Sequence, residues 1–252
     1  MLATIILAAG KGKRMKNPHK AKVMYTLRGK PLISYVIDLS LKIESDKIII
    51  IVGHQRESVI NFISKEYNSE KIHFAIQEEQ LGTGHAVMQT YPQLKDFDGN
   101  VLILSGDVPL LKIKTIKEFI SYHNKNSFDA SLISAKLDNP FGYGRIIRNA
   151  LNEFISIKEE KDATEEERKT DEINSGIYIV KSKLLFEALK ILKPDNAQKE
   201  YYLTDIFEYF IQNNHKIGAF LIEDQKEILG INTIQQLQDL ENLYVNSNDN
   251  EE

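Results

Sequence analysis

Three short runs of this chain are apolar without alternation: residues 4–8 (TIILA), 47–52 (KIIIIV) and 100–104 (NVLIL). A strand with one wet face alternates apolar and polar side chains, so these runs read as strands covered on both faces. Amphipathic stretches separate them. Residues 31–41 place Leu32, Tyr35, Val36 and Leu39 at helical spacing, with a proline at the start, and residues 55–66, 83–91 and 113–124 are further helix candidates. With another strand expected at 72–77, the first half predicts a layered α/β fold around a mixed, mainly parallel sheet flanked by helices.

The second half is less regular. Strands are expected at 130–135, 144–148, 154–157, 173–180 and 217–222, and helices at 184–192, 203–212 and 233–244. That mixture suits antiparallel strands and a smaller β lid added to the sheet. No repeat and no proline-rich linker divides the chain, so residues 1–245 are expected to form one domain, followed by a disordered polar tail at 246–252.

Composition removes several function classes. With no cysteine, disulfides, thiolate catalysis and thiolate zinc sites are excluded, and the six histidines are not clustered at ligand spacing. The net charge of −4 offers no general attraction to nucleic acid or anionic membrane, so neither is expected as a partner. The first apolar run is too short to span a bilayer and lacks the flanks of a secretion signal, which makes a cytoplasmic protein the expectation.

The first strand runs directly into Gly10-Lys11-Gly12-Lys13-Arg14-Met15. Two glycines let a backbone turn tightly and bring its N–H groups to an anion, while the basic residues add charge at the same place. A dinucleotide fingerprint would need glycine where Met15 stands, and a P-loop begun at Gly10 or Gly12 would need Gly-Lys where Met15-Lys16 or Asn17-Pro18 stand. Both familiar phosphate loops fail on spacing.

What residues 7–15 (LAAGKGKRM) do resemble is the opening signature of the sugar-1-phosphate nucleotidyltransferase family. Lys22-Val23-Met24 resembles its second basic motif, with Ala21 where proline is usual. Residues 77–86 (QEEQLGTGHA), 106–109 (GDVP), 142–146 (GYGRI), 158–163 (KEEKDA), 172–177 (EINSGI) and 229–232 (LGIN) are similar, in order, to the branch that uridylylates N-acetylglucosamine 1-phosphate. Thr233-Ile234 depart from the acidic or amide residue and arginine often found there.

The resemblance implies a single Rossmann-like, GT-A-like domain and assigns roles. Leu7, Ala8, Ala9, Gly10, Lys11 and Gly12 would bind the nucleotide's phosphates, and Gln77, Gly82 and Thr83 its uracil. Gly144, Glu159 and Asn174 would hold the sugar, although Glu159 lies in a charged run that composition alone reads as a solvated helix or loop. Asp107 and Asn232 would hold Mg2+, with Arg14 and Lys22 as catalytic groups on the reacting phosphates. The implied substrates are UTP and N-acetylglucosamine 1-phosphate, and the implied products UDP-N-acetylglucosamine and pyrophosphate. The bifunctional members trimerise through a hexapeptide-repeat acetyltransferase domain. No such repeats occur here, so a monomer without acetyltransferase activity is expected.

Overall fold

A computed structural model of the protein describes residues 1–248. The chain runs β1 (Leu2–Ala8), β2 (Thr26–Leu27), β3 (Lys30–Pro31), α1 (Leu32–Lys42), β4 (Lys47–Val52), α2 (Arg56–Glu66), β5 (Ile72–Ile76), α3 (Thr83–Met88), α4 (Tyr91–Leu94), β6 (Asn100–Ser105) and α5 (Ile113–Lys125). It continues through β7 (Ala130–Lys136), β8 (Arg145–Arg148), β9 (Phe154–Lys158), β10 (Glu172–Lys181), α6 (Ser182–Leu189), α7 (Ile206–Gln212), β11 (Ile217–Leu221) and α8 (Ile234–Asn248). The main sheet has the order β11-β7-β10-β6-β1-β4-β5. Along this path only β10 runs against its neighbours.

The unalternating runs are buried on both faces, as their composition demands. Within β1, β4 and β6, Ile6, Ile48, Ile50, Leu102 and Leu104 face one core with Val36 and Ile37 of α1, Ile63 of α2 and Phe119 of α5. Ile5, Ile49, Ile51, Val101 and Ile103 face the other, with Val87 of α3, Leu185 of α6 and Phe207 and Phe210 of α7. Each fully covered isoleucine contributes about 1.5–3 kcal/mol of transfer free energy. Thr4, the polar member of the first run, is wholly buried and shares a 2.6 Å hydrogen bond with the Ser45 hydroxyl.

Several boundaries differ from the sequence expectation. The helix expected at 83–91 is two pieces, α3 and α4, because Pro92 stands in the first turn of α4. Residues 203–205 form a tight 3-10 turn before α7. The β2–β3 hairpin was not foreseen; its two turn residues, Arg28 and Gly29, both have positive φ, the geometry a two-residue hairpin requires. Helix α8 runs to Asn248, three residues into the expected tail, and the rest of that tail lies outside the described residues.

Two features position the site. β1 pairs in parallel with β4 on one side and β6 on the other, so a crevice opens at its carboxyl end, where open α/β sheets bind ligands. Strand β10 changes partner along its length. Its C-terminal part pairs with β6, Ile173 pairs with Arg145 of β8, and its register against β7 shifts between Asn174 and Tyr178, where Gly176 takes φ 77°. The β8–β9 hairpin, the expected lid, is thereby attached to the N-terminal part of β10.

Candidate active site

The loop leaving β1 turns at Gly12, whose φ is 57°; a Cβ there would also stand 2.9 Å from Cβ of Lys22. Glycine is thus required twice over, by conformation and by close approach. Met15, 1% exposed, plugs the turn into the protein, and the Tyr25 hydroxyl donates to its carbonyl at 3.4 Å. At Gly10 neither demand exists: its φ is not positive and a Cβ would meet nothing within 4 Å. The space left there opens onto the crevice.

Four residues from distant segments meet at the mouth of that crevice. The Lys22 ammonium donates to Oδ2 of Asp107 and, at 2.7 Å, to Oδ1 of Asn232; the same Asn232 oxygen accepts from the Arg14 guanidinium at 2.8 Å. The backbone makes this possible. Ile231 N–H donates to the Asp107 carbonyl at 2.9 Å, docking the 229–232 segment beside the end of β6. Gly230 lies between the two metal candidates, with its would-be Cβ 3.5 Å from Oδ2 of Asp107 and from Nδ2 of Asn232. Thr233, the departure from the family pattern, accepts from Gln236 N–H at 3.1 Å, while Gln236 Oε1 accepts from Asn232 and Thr233 N–H at 2.7 and 3.0 Å. This is a capping box for α8, and it anchors Asn232 at the helix entrance.

A cavity of about 300 Å3 is lined by Leu7, Ala8, Ala9, Gly10, Lys22 and Asp107 together with Gln77, Gly82 and Thr83. Gln77, 3% exposed, donates its side-chain N–H to the Gly82 carbonyl at 3.1 Å and lies 3.1 Å from Nδ1 of His85. His85 thus supports the Gln77 amide. Gly82 has φ 117°, and a Cβ would stand 2.5 Å from the Tyr201 carbonyl. Tyr201 holds this segment by two backbone bonds, accepting from Gly84 N–H and donating to the Leu81 carbonyl, both at 2.8 Å. The Thr83 hydroxyl, expected on the ligand, accepts from Leu203 N–H at 3.1 Å.

Gly144, Glu159 and Asn174 come together under the lid. A Cβ on Gly144 would lie 3.5 Å from Oε2 of Glu159 and 3.6 Å from Cβ of Asn174, whose N–H donates to the Gly144 carbonyl at 2.9 Å. Asn174 donates to the Tyr178 hydroxyl at 2.7 Å. Glu159 is not the solvated residue that its charged run suggests: burial pushes its carboxyl up, while the Thr204 hydroxyl, donating at 2.9 Å, pulls it back and nearby Asp162 raises it further. Thr204 therefore belongs to this cluster, while the N-cap residue of α7, Asp205, makes no side-chain cap bond.

Lys11 and Gly12 stand apart from the cavity. They line a basic depression of about 360 Å3 with Lys13, Lys16 and His54 on the outer side of the loop. Sequence reasoning also missed wall residues: Gln80, Ser105 and Glu200 line the cavity. Ser105 adjoins segment 106–109, whose resemblance to the family was legible, and Gln80 lies inside 77–86. No helix among the described residues is long and apolar enough to cross a membrane.

The chain is 48% identical over 236 residues to the bifunctional protein GlmU of Acetivibrio thermocellus, covering 94% of this chain and 50% of that protein. It is 46% identical over 242 residues to the GlmU protein of Thermoanaerobacter pseudethanolicus, covering 96% and 51%. The chain thus spans about half the length of the curated relatives it matches. Among solved structures, UDP-glucose pyrophosphorylase complexed with UDP-glucose superposes with a TM-score of 0.81 at 17% identity, covering 97% of this chain and 98% of that one, which shows a shared fold. The nucleotidyl transferase family matches residues 3–230, a span that takes in the basic loop, Lys22, Asp107, the Gln77 segment and the lid, and the chain belongs to that family.

Proposed function

We propose that this domain transfers a uridylyl group from UTP to N-acetylglucosamine 1-phosphate, releasing pyrophosphate and forming UDP-N-acetylglucosamine, with Mg2+ as cofactor. The observation that carries the reading is the convergence of Arg14, Lys22, Asp107 and Asn232 beside a cavity that Lys22 and Asp107 line together with Gln77, Gly82 and Thr83. The likeness to GlmU proteins supports the choice of substrates.

The donor set fits a hard divalent cation. Oxygens of Asp107 and Asn232 already share one cation, the Lys22 ammonium. Two protein oxygens suit magnesium, which takes one or two carboxylates and completes its shell with phosphate and water. Bound there, the ion would supply charge neutralisation for the two phosphates. The rest is done by the chain. Gln77, fixed by Gly82 and His85, reads the pyrimidine edge, and the Gly10 gap admits the triphosphate against backbone N–H groups. Gly144, Glu159 and Asn174 hold the sugar so that its phosphate faces the α-phosphorus. A phosphate oxygen of the sugar substrate attacks that phosphorus, the bond to the bridging α–β oxygen breaks, and pyrophosphate leaves with the electron pair. Lys22 and Arg14 stabilise the charge that builds on the transferred and leaving groups. No general base is needed, because the attacking phosphate is already an anion near neutral pH.

Pyrophosphate release from four nucleoside triphosphates crossed with several sugar 1-phosphates, with and without magnesium, tests the reading. Preference for UTP with N-acetylglucosamine 1-phosphate, lost on chelation, is the expected result. A preference for glucose 1-phosphate or for another base would overturn the assignment of substrates.

A further inference from the structure

Arg145 opens β8 with only 2% of its surface exposed. A buried guanidinium is costly unless its N–H groups are paired, so its partners are informative. One terminal nitrogen donates to the Tyr143 carbonyl, and the other donates to Oε2 of Glu160 at 2.8 Å. The same Glu160 oxygen accepts from Gly142 N–H at 3.1 Å, and the Glu160 carbonyl accepts from Arg168 at 3.1 Å. Among the described residues Nε of Arg145 has no partner. An arginine serving stability alone would be poorly chosen here, since an apolar residue of similar volume would leave nothing buried and unpaired.

What the pair joins explains its presence. Gly144 precedes Arg145 and Glu159 precedes Glu160, while Asn174 is bonded through its backbone to Gly144 and Ile173 pairs with Arg145. Beside the ladder pairing of Arg145 with Lys158, this ion pair adds a side-chain tie between the 142–145 turn and the start of the 159–163 turn, and Arg168, 3.5 Å from the second Glu160 oxygen, braces its acidic end. Neither Arg145 nor Glu160 lines the nucleotide cavity. We infer that Arg145, through Glu160, is a positioning residue that sets the spacing of Gly144, Glu159 and Asn174 and so tunes affinity for the sugar phosphate independently of the nucleotide. This inference rests on the proposed substrate roles of those three residues.

The test uses Arg145→Lys and the milder Glu160→Gln, since Glu160 is partly exposed and its loss strains the fold less. With the sugar 1-phosphate and nucleotide that the unaltered protein uses best, both variants should raise KM for the sugar phosphate roughly tenfold, as small misplacements of positioning groups do, with KM for the nucleotide unchanged within about twofold. Arg145→Lys should keep more of the affinity than Arg145→Met. Equal rises in both KM values, or a fall in melting temperature with neither KM changed, would overturn the inference. Amide hydrogen exchange reads the clamp without turnover. In Glu160→Gln, segments 142–145 and 159–163 should exchange faster together while 81–86 stays as before. Faster exchange in only one of the two segments counts against the clamp. Coupled exchange in a protein with no transferase activity leaves the clamp standing and sinks the substrate reading instead.

Discussion

The side-chain nitrogen of Lys22 lies 2.7 Å from the amide oxygen of Asn232, 210 positions further along the chain. That oxygen also takes the Arg14 guanidinium, and the same ammonium reaches Asp107. Two groups that sequence assigns to phosphates and two that it assigns to a metal are therefore one cluster. Its two cations share the same few oxygens.

Removing either end of the Lys22–Asp107 pair should abolish chemistry while sparing the fold, because both side chains sit at the crevice mouth and outside the packed cores. Lys22→Ala and Asp107→Ala are each expected to lower turnover by about 10²–10³-fold, the usual cost of losing a group that stabilises transition-state charge. Pyrophosphate release and the thermal unfolding midpoint check this together. Near-normal release from either variant is the outcome that sinks the catalytic assignment.

Gly10 and Gly12 make opposite predictions although they are two residues apart. Alanine at Gly12 would face both a left-handed φ and the Cβ of Lys22 at 2.9 Å, so Gly12→Ala should destabilise by about 1–2 kcal/mol and displace the lysine. Alanine at Gly10 meets nothing and strains nothing. Gly10→Ala should melt with the parent protein yet raise KM for the nucleotide, because the added methyl fills space a phosphate needs. Equal melting losses in both variants would contradict this account.

These contrasts mark how far the sequence could be read. The unbroken apolar runs at 47–52 and 100–104 could only be satisfied by cover on both faces, so the sheet and its layers were legible. The basic loop and the 106–109 segment were legible as motifs because each is contiguous. The contact of Thr204 with Glu159, 45 residues before it, was not, since only the tertiary fold brings a hydroxyl from the turn before α7 under the lid. The backbone of Tyr201, which is bonded to Leu81 and Gly84, was equally invisible, for a main-chain contact leaves no trace in residue type. In the charged run at 158–172, composition pointed to solvent, and burial of Glu159 was decided by the hairpin that carries it.

Gln77 should govern the choice of base. Its side-chain hydrogen bonds, to the Gly82 carbonyl and to His85, both use the amide nitrogen, which leaves the oxygen to accept from a ligand N–H. Gln77→Glu replaces that donor with an acceptor and sets it against the Gly82 carbonyl. Discrimination for UTP over other triphosphates is expected to fall roughly tenfold, the loss of about 1.4 kcal/mol of differential binding. Competition between UTP and CTP in the pyrophosphate assay measures it, and unchanged selectivity would remove Gln77 from the base site.

Asp205 offers a stability test that turnover does not enter. Burial pushes its carboxyl up to about 6, helped by Glu208, Glu159 and Asp162 and opposed by Lys158. The folded protein thus holds this proton more tightly than the unfolded chain, whose aspartate titrates near 3.9. Stability from this group is fully present below the unfolded value and is lost as pH rises through the folded one, so the window lies between about pH 4 and 6. Because the side chain is only partly buried, solvent screening reduces the loss to about 1 kcal/mol. Asp205→Asn keeps the shape and cannot ionise. It should match the parent protein near pH 4 and exceed it in stability by that amount above pH 6.5, with urea unfolding at the two pH values as the measurement. A variant less stable than the parent at the higher pH would show that the Asp205 carboxylate is stabilised by a partner and not strained by burial.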